Sequence, residues 1–270
     1  MKLATKEKNR LKLKYGDWAV VTGASSGIGL EISKLLASAG FNLVINARNR
    51  EKLDQIKSEL ESKYAIQVNT IATDVASEGS FKTITDLVQD LNVGLLVVSA
   101  GFGTTGLFIR GEIEEEKNML RVNCEALLDI TFHFSRLFAK QKRGGIILLS
   151  SMVAFQGVPY SANYAATKAY VQSLGEALAV ELESYGVDVL AAAPGPVRSG
   201  FADRANMKMS MSLGTEEVGV PILKALGRKN TVLPGFLTKF LVYSLMMVPR
   251  WAKVRIMQKV MGGMTAHQRQ

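Results

Sequence analysis

The chain has 270 residues, 47% of them hydrophobic and 21% charged, enough apolar material for one large core and a single sizeable α/β domain. Cys124 is the one cysteine, which excludes an intrachain disulfide or a cysteine-based metal cluster and fits a reducing compartment. The net charge of +9 is concentrated at the ends: residues 1–14 carry six Lys or Arg against Glu7, residues 218–270 carry nine and no acid, and the stretch between has an acidic excess. No basic stripe lies within a nucleic-acid-reading motif, whereas a membrane surface, an acidic partner or the acidic body of a neighbouring subunit would each suit basic ends.

In chain order, "MKLATKEKNRLKLKYGDW" alternates lysines and lacks the apolar core of a secretory signal, so a cytoplasmic location is expected and residues 1–14 read as a basic arm. "DWAVVTG" is a short apolar run ending in a glycine turn, and "IGLEISKLLASAG" follows with Ile28, Ile32, Leu35 and Leu36 at helical spacing. The alternation then continues through strand "FNLVINA", helix "EKLDQIKSELESKY", strand "IQVNTIATD", helix "EGSFKTITDLVQDL" and buried strand "GLLVVSAG". A single long helix is expected over "EEEKNMLRVNCEALLDITFHFSRLFAKQ", then strand "GGIILLSS", a second long helix over "SANYAATKAYVQSLGEALAVELESYG", strand "VDVLAAAPG", helix "EEVGVPILKALG" and short strand "NTVLPG". Several strands are apolar throughout, which is the signature of a doubly wound parallel sheet covered by helices on both faces.

The turn "TGASSGIG" places Gly23, Gly27 and Gly29 between the first strand and helix, where free N–H groups and the helix dipole favour a pyrophosphate. Its spacing is neither GxGxxG nor a Walker A loop. An NAD-selective site usually carries an acid at the end of the second strand; here "INARN" offers Arg48, which suits the extra phosphate of NADP or is the solvated start of a helix.

In "NYAATKAY", Tyr164 and Lys168 are four apart and share a helix face. An ammonium held near a phenol lowers its pKa and makes it usable as an acid or base, although the spacing alone is equally that of two packed polar side chains. Ser150 and Ser151 end a buried strand just upstream, and Asn123 is a mediocre helix former in mid-helix.

In their order and spacing, "TGASSGIG", "TDV" at 73–75, "SAG" at 99–101, "VN" at 122–123, Ser151, "YAATK" at 164–168 and "PGPVRS" at 194–199 resemble the short-chain dehydrogenase/reductase family, from about Asp17 to Gly235. "AGFGTTGLF" and the basic tail look like an NADP-preferring bacterial branch. The resemblance implies a Rossmann-like three-layer sandwich over 15–235, NADP(H) as cofactor, and hydride transfer between nicotinamide and a ketone or secondary alcohol. It implies Tyr164 as proton donor or base, Lys168 lowering its pKa and holding the nicotinamide ribose, Ser151 rather than Ser150 on the reacting oxygen, and Asn123 holding a water. Gly23, Ser25 and Ile28 would line the diphosphate and adenosine, with Arg48 and Ser25 near the 2′-phosphate. Asp74 and Val75 would meet the adenine, Ala100 and Gly101 the ribose, and Val197 the carboxamide. Ser99 stands where the family has Asn, and Ser199 where Thr is usual. A homodimer or homotetramer paired through the two long helices is implied as well.

Substrate shape is expected to come from residues 199–215, with Phe201, Met207, Met209, Met211 and Leu213, and from the tail at 236–270. Those methionines suit an acyl chain or another apolar carbonyl compound, or equally a packed lid. The tail is too short in apolar run to span a membrane; it covers the cleft, packs on a subunit or makes peripheral contact with an anionic bilayer. The other class of reading is an NADP(H)-binding regulator or scaffold working through its basic ends. His133 and His267 are isolated, and no metal is expected.

Overall fold

The structure, a computed structural model, describes residues 2–208 and 212–268. Helix α1 (Thr5–Tyr15) leads into β1 (Trp18–Thr22), α2 (Gly27–Ser38), β2 (Asn42–Ala47), α3 (Arg50–Tyr64), β3 (Val68–Ala72), α4 (Ser80–Val88) and β4 (Val93–Val98). Then come α5 (Ile113–Leu120), a π-helical turn (Arg121–Glu125), α6 (Ala126–Gln141), β5 (Gly144–Leu149), α7 (Ala162–Glu181) and β6 (Val187–Ala192). The chain continues with α8 (Phe201–Arg204), α9 (Thr215–Ala225), β7 (Thr231–Val232), α10 (Phe236–Met246) and α11 (Arg250–Met264). Among the described residues the strands form one parallel sheet in the order β3-β2-β1-β4-β5-β6-β7.

Successive residues of a strand point to opposite faces, so a strand buried on both sides needs apolar side chains at every position. Ala19, Val21, Leu95, Val97, Ile147 and Leu149 pack with α1, α2, α3 and α9 on one face. Trp18, Val20, Leu96, Val98, Ile146 and Leu148 pack with α4, α6 and α7 on the other. The strand order reverses between β1 and β4, and in such sheets the crevice beyond the carboxyl ends at that reversal takes the ligand.

Two elements differ from the sequence expectation. The basic N-terminal stretch is helix α1, with Glu7, Leu11 and Tyr15 buried along one face and Arg10, Lys12 and Lys14 each in an ion pair. Arg10 donates to the carbonyls of Leu226 and Leu223 at 2.9 and 3.0 Å, Arg228 pairs with Glu7 at 2.8 Å, and Tyr15 donates to Asp188 at 2.7 Å. The helix expected over 113–141 is interrupted by the π turn, which contains Asn123. A π turn leaves backbone groups out of the regular ladder and is commonly found where a side chain must be turned into a site.

Candidate active site

A cavity of about 610 Å³ runs along the carboxyl edge of the sheet. Gly23, Ser25, Ile28, Arg48, Asp74, Val75, Ala100, Gly101, Ser151, Tyr164, Lys168 and Val197 all line it. Asn123 does not; it is fully buried behind the wall.

At the glycine loop, Gly23 has φ +67° and a Cβ there would lie 2.7 Å from the Ala100 amide nitrogen. Any side chain at this position is therefore strained and also blocked by the β4 loop, while the glycine keeps the backbone open to a phosphate. Ser26 precedes α2 without a side-chain cap, which leaves the first-turn N–H groups facing the cavity. The buried Thr22 hydroxyl accepts from the backbone N–H groups of Ser99 and Ala100, each at 3.2 Å, and so ties the ends of β1 and β4 together. This residue has no signal of its own in the sequence, and it orders the loop at the position where the family pattern has Asn in place of Ser99. Across the cleft, the exposed Arg48 guanidinium is 3.7 Å from Asp74, whose other oxygen accepts from the Ala76 N–H at 3.0 Å. Asn49 caps α3 by accepting from Lys52 N at 2.8 Å, so Arg48 is free of the capping role and points along the cavity.

The chemical end of the cavity is built on three carboxyl-edge loops. Ser151 follows β5, accepts from the Val153 N–H at 3.4 Å, and hydrogen-bonds Tyr164. Its neighbour Ser150 is turned the other way, donating to the Lys168 carbonyl at 2.9 Å. Tyr164 lies in the first turn of α7, its ring 5.2 Å from that of Phe201 and 5.8 Å from the Lys168 ammonium. Asn163 locks this turn to α5, donating to the Glu116 carbonyl at 3.1 Å and to its carboxylate at 2.7 Å, and Thr104 donates to the same carboxylate at 2.7 Å. Lys168 is buried and donates to the Leu149 carbonyl at 2.8 Å.

Asn123 exchanges two hydrogen bonds with the backbone of Phe102, accepting at 3.1 Å and donating at 2.8 Å, and donates to Thr167 at 3.0 Å. Its amide is occupied in holding the β4 loop to α7. A Cβ on Gly101 would lie 3.1 Å from Asn123 Oδ1 and 3.3 Å from Lys168 Nζ, so these groups converge under that glycine.

The electrostatics differ from the expectation that Lys168 depresses the tyrosine pKa. Burial pushes Tyr164 up to about 12, opposed by the Ser151 hydrogen bond. Burial likewise pulls Lys168 down to about 8. Withdrawal from water disfavours the charged form of each group, and Lys168 spends its hydrogen bond on a carbonyl rather than on the phenol. The tyrosine therefore stays protonated at neutral pH, while the lysine holds a labile proton.

Sequence reasoning passed over Phe102 and Arg204. The Arg204 guanidinium stacks 4.0 Å above the Phe102 ring, and both line the cavity. Phe201 and Met207 line it as expected, while Leu213 instead pairs with Val197 in a parallel bridge. Met209 and Met211 lie outside the described residues. The opposite wall comes from the tail: Leu241 and Leu245 of α10, and Ile256, Met257, Val260, Met261 and Met264 of α11. Beyond α11, Gln268 ties the tail to the β4 loop by donating to Thr105 at 2.8 Å, beside a His267 to Asn206 contact at 3.0 Å. His133 lies edge-on between Phe81 and Phe134.

Comparison with known proteins places these features in a family. The chain is 31% identical over 179 residues to a 7β-hydroxysteroid dehydrogenase of Collinsella aerofaciens, covering 66% of this chain and 68% of that protein. It is 34% identical over 181 residues to a very-long-chain 3-oxoacyl-CoA reductase of Neurospora crassa, covering 65% of this chain and 54% of the other, so it spans about half the length of that relative. A solved 7β-hydroxysteroid dehydrogenase structure superposes with a TM-score of 0.85 at 27% identity, over 92% of this chain and 98% of that one. The short chain dehydrogenase family model matches residues 17–210, and with the parallel sheet, the glycine loop and the serine, tyrosine and lysine at its carboxyl edge, the chain belongs to the short chain dehydrogenase family.

Proposed function

We propose that the protein is an NADPH-dependent oxidoreductase that moves a hydride between nicotinamide and the carbonyl carbon of an apolar ketone, or the reverse from a secondary alcohol. The observation that carries this reading is the meeting of Ser151, Tyr164 and Lys168 at one end of a cavity whose other end holds the glycine loop and Arg48. The residues fit a dinucleotide: Gly23 leaves the backbone open to a phosphate, the N-terminus of α2 lies beside it, and Arg48 and Asp74 on the same cavity offer a cation for an adenosine 2′-phosphate and a carboxylate for adenine. When bound, the cofactor supplies or accepts the hydride.

This chain's own residues manage the proton. Tyr164, kept protonated by burial, donates from its hydroxyl to the carbonyl oxygen as the hydride arrives, and Ser151 holds the pair in line. The Lys168 ammonium lies 5.8 Å from the centre of the Tyr164 ring, its hydrogen bond given to the Leu149 carbonyl. Asn123 acts on this set by holding the Phe102 backbone and Thr167 in place. The apolar tail wall suits substrates of the classes after which the relatives are named, a 3-oxoacyl-CoA and a hydroxysteroid. No observation favours a binding-only regulator.

A second copy of the chain is the natural cover for Leu128 and Phe132 of α6 and Val180 of α7, which are exposed apolar side chains. The single half-buried thiol of Cys124 supports a reducing, cytoplasmic setting.

NADPH oxidation with a panel of 3-oxoacyl thioesters and oxosteroids tests the proposal. Tyr164→Phe is expected to lower turnover by about 10²-fold or more while NADPH binding persists. Arg48→Ala is expected to weaken NADPH about tenfold and leave NADH unchanged. Full turnover by Tyr164→Phe would remove the mechanism, and equal loss of both cofactors in Arg48→Ala would remove the cofactor assignment.

A further inference from the structure

Helix α10 is apolar on both of its faces. Val242 and Thr238 are buried, and Leu241 and Leu245 line the cavity. On the outer side Phe236, Phe240, Tyr243 and Met247 follow one another at intervals of four, three and four residues, which aligns them in a single stripe ending at the helix C-cap. They are 84%, 60%, 59% and 88% exposed, and Trp251 in the first turn of α11 is 73% exposed. A helix that is apolar all round belongs in an interior or against another phase, and so much aromatic surface left to water needs a cover.

The surrounding charge identifies the cover. From residue 218 to the end the sequence has nine Lys or Arg and no Asp or Glu. Among the described residues, Lys239, Arg250, Lys253 and Lys259 enter no ion pair, whereas Arg10, Lys12 and Lys14 of α1 are each paired within the fold. An isologous contact with a second copy would set this basic surface against itself, at an electrostatic cost. A surface of large aromatic and methionine side chains ringed by unpaired cations complements an anionic lipid bilayer, in which the rings reach the acyl boundary and the cations meet the headgroups. No helix among the described residues is long and apolar enough to cross the membrane.

We propose that α10 and the start of α11 dock the protein on the surface of an anionic bilayer. Ser244, Ile256 and Val260 both line the cavity and are exposed, so they form its rim between these two helices. Docking sets that rim against the lipid, and an apolar substrate dissolved there reaches the cleft directly. This last consequence rests on the ketone-reductase reading above, whereas the docking itself does not.

Flotation of the full chain with phosphatidylcholine vesicles, with and without phosphatidylglycerol, is the test. Binding is expected to the anionic vesicles and to fall as salt rises. The pair Phe240→Ser and Trp251→Ser, neither of which lines the cavity, is expected to lower partitioning on the order of tenfold per residue. Circular dichroism verifies that the variant folds, and turnover of a short water-soluble ketone should be unchanged while turnover of a long-chain ketone held in vesicles drops. Absence of vesicle binding overturns the proposal, as does equal binding to neutral vesicles. So does concentration-dependent self-association that the same two substitutions abolish, since the stripe would then be a contact between copies. If vesicle binding is lost in the variant but no ketone is reduced by the wild type, the docking surface stands and the enzymatic reading fails.

Discussion

Lys168 is a charged side chain kept where charge is disfavoured. Its pKa of about 8 against an ordinary 10.5 means that, at neutral pH, holding the proton opposes folding by about 3 kcal/mol. Between those two values the unfolded chain binds more protons than the folded one, so this group makes stability rise with pH across the window from about 8 to 10.5. Lys168→Met removes the buried charge but leaves the Leu149 carbonyl without its donor, a loss of about 1 kcal/mol. We expect the variant to unfold at higher temperature at pH 7, by about 1–2 kcal/mol, with the advantage vanishing toward pH 10 and turnover lost. A variant less stable than the parent at pH 7 in calorimetry would mean that the ammonium is better satisfied than its burial indicates. The same titration limits activity: kcat/KM for NADPH, which reports the free protein, should decline above about pH 8 as Lys168 loses its proton.

Helix α7 presents Tyr164 from its first turn, the part of a helix least restrained by its own hydrogen bonds, and so depends on what holds that turn. Asn163 supplies the restraint by reaching the backbone and carboxylate of Glu116 on α5. Asn163→Ala is expected to cost about 1–2 kcal/mol of stability and to lower kcat about tenfold with NADPH affinity unchanged, because a displaced Tyr164 affects only the chemical step. Stopped-flow turnover beside fluorescence titration of NADPH checks this, and an unaltered kcat would show that the tyrosine is positioned by other contacts. Strand and helix periodicity made most elements legible, since each face of the sheet is apolar and each long helix has a clear buried stripe. The π turn at 121–125 was not legible, because a single-turn change of helical pitch barely disturbs the spacing of apolar residues around it. Helix α1 was hidden by its lysines, although Glu7, Leu11 and Tyr15 stand four apart and mark its buried face. At the site, the motifs located the residues that face the cavity. They could not show that Asn123 spends its amide on Phe102 and Thr167, or that Arg204 stacks on a ring 102 positions earlier in the chain, since those pairings depend on the fold alone.

For the whole molecule, one cavity joins the glycine loop, the Ser151, Tyr164 and Lys168 cluster, and an apolar wall lent by the tail. The basic residues divide by element: Arg10, Lys12 and Lys14 of α1 are ion-paired within the fold, while Lys239 of α10 and Arg250, Lys253 and Lys259 of α11 enter no ion pair among the described residues. The proposed function needs a charged dinucleotide and an apolar carbonyl compound to meet in this one trough, the arrangement that direct hydride transfer requires. The most direct measurement is to supply NADPH deuterated at C4 of the nicotinamide with a turned-over ketone and to examine the alcohol by mass spectrometry. Deuterium on the carbinol carbon, delivered stereospecifically from one face of the ring and absent with Tyr164→Phe, is the expected result. Alcohol formed without the label, or with the label at the same rate in Tyr164→Phe, would contradict it.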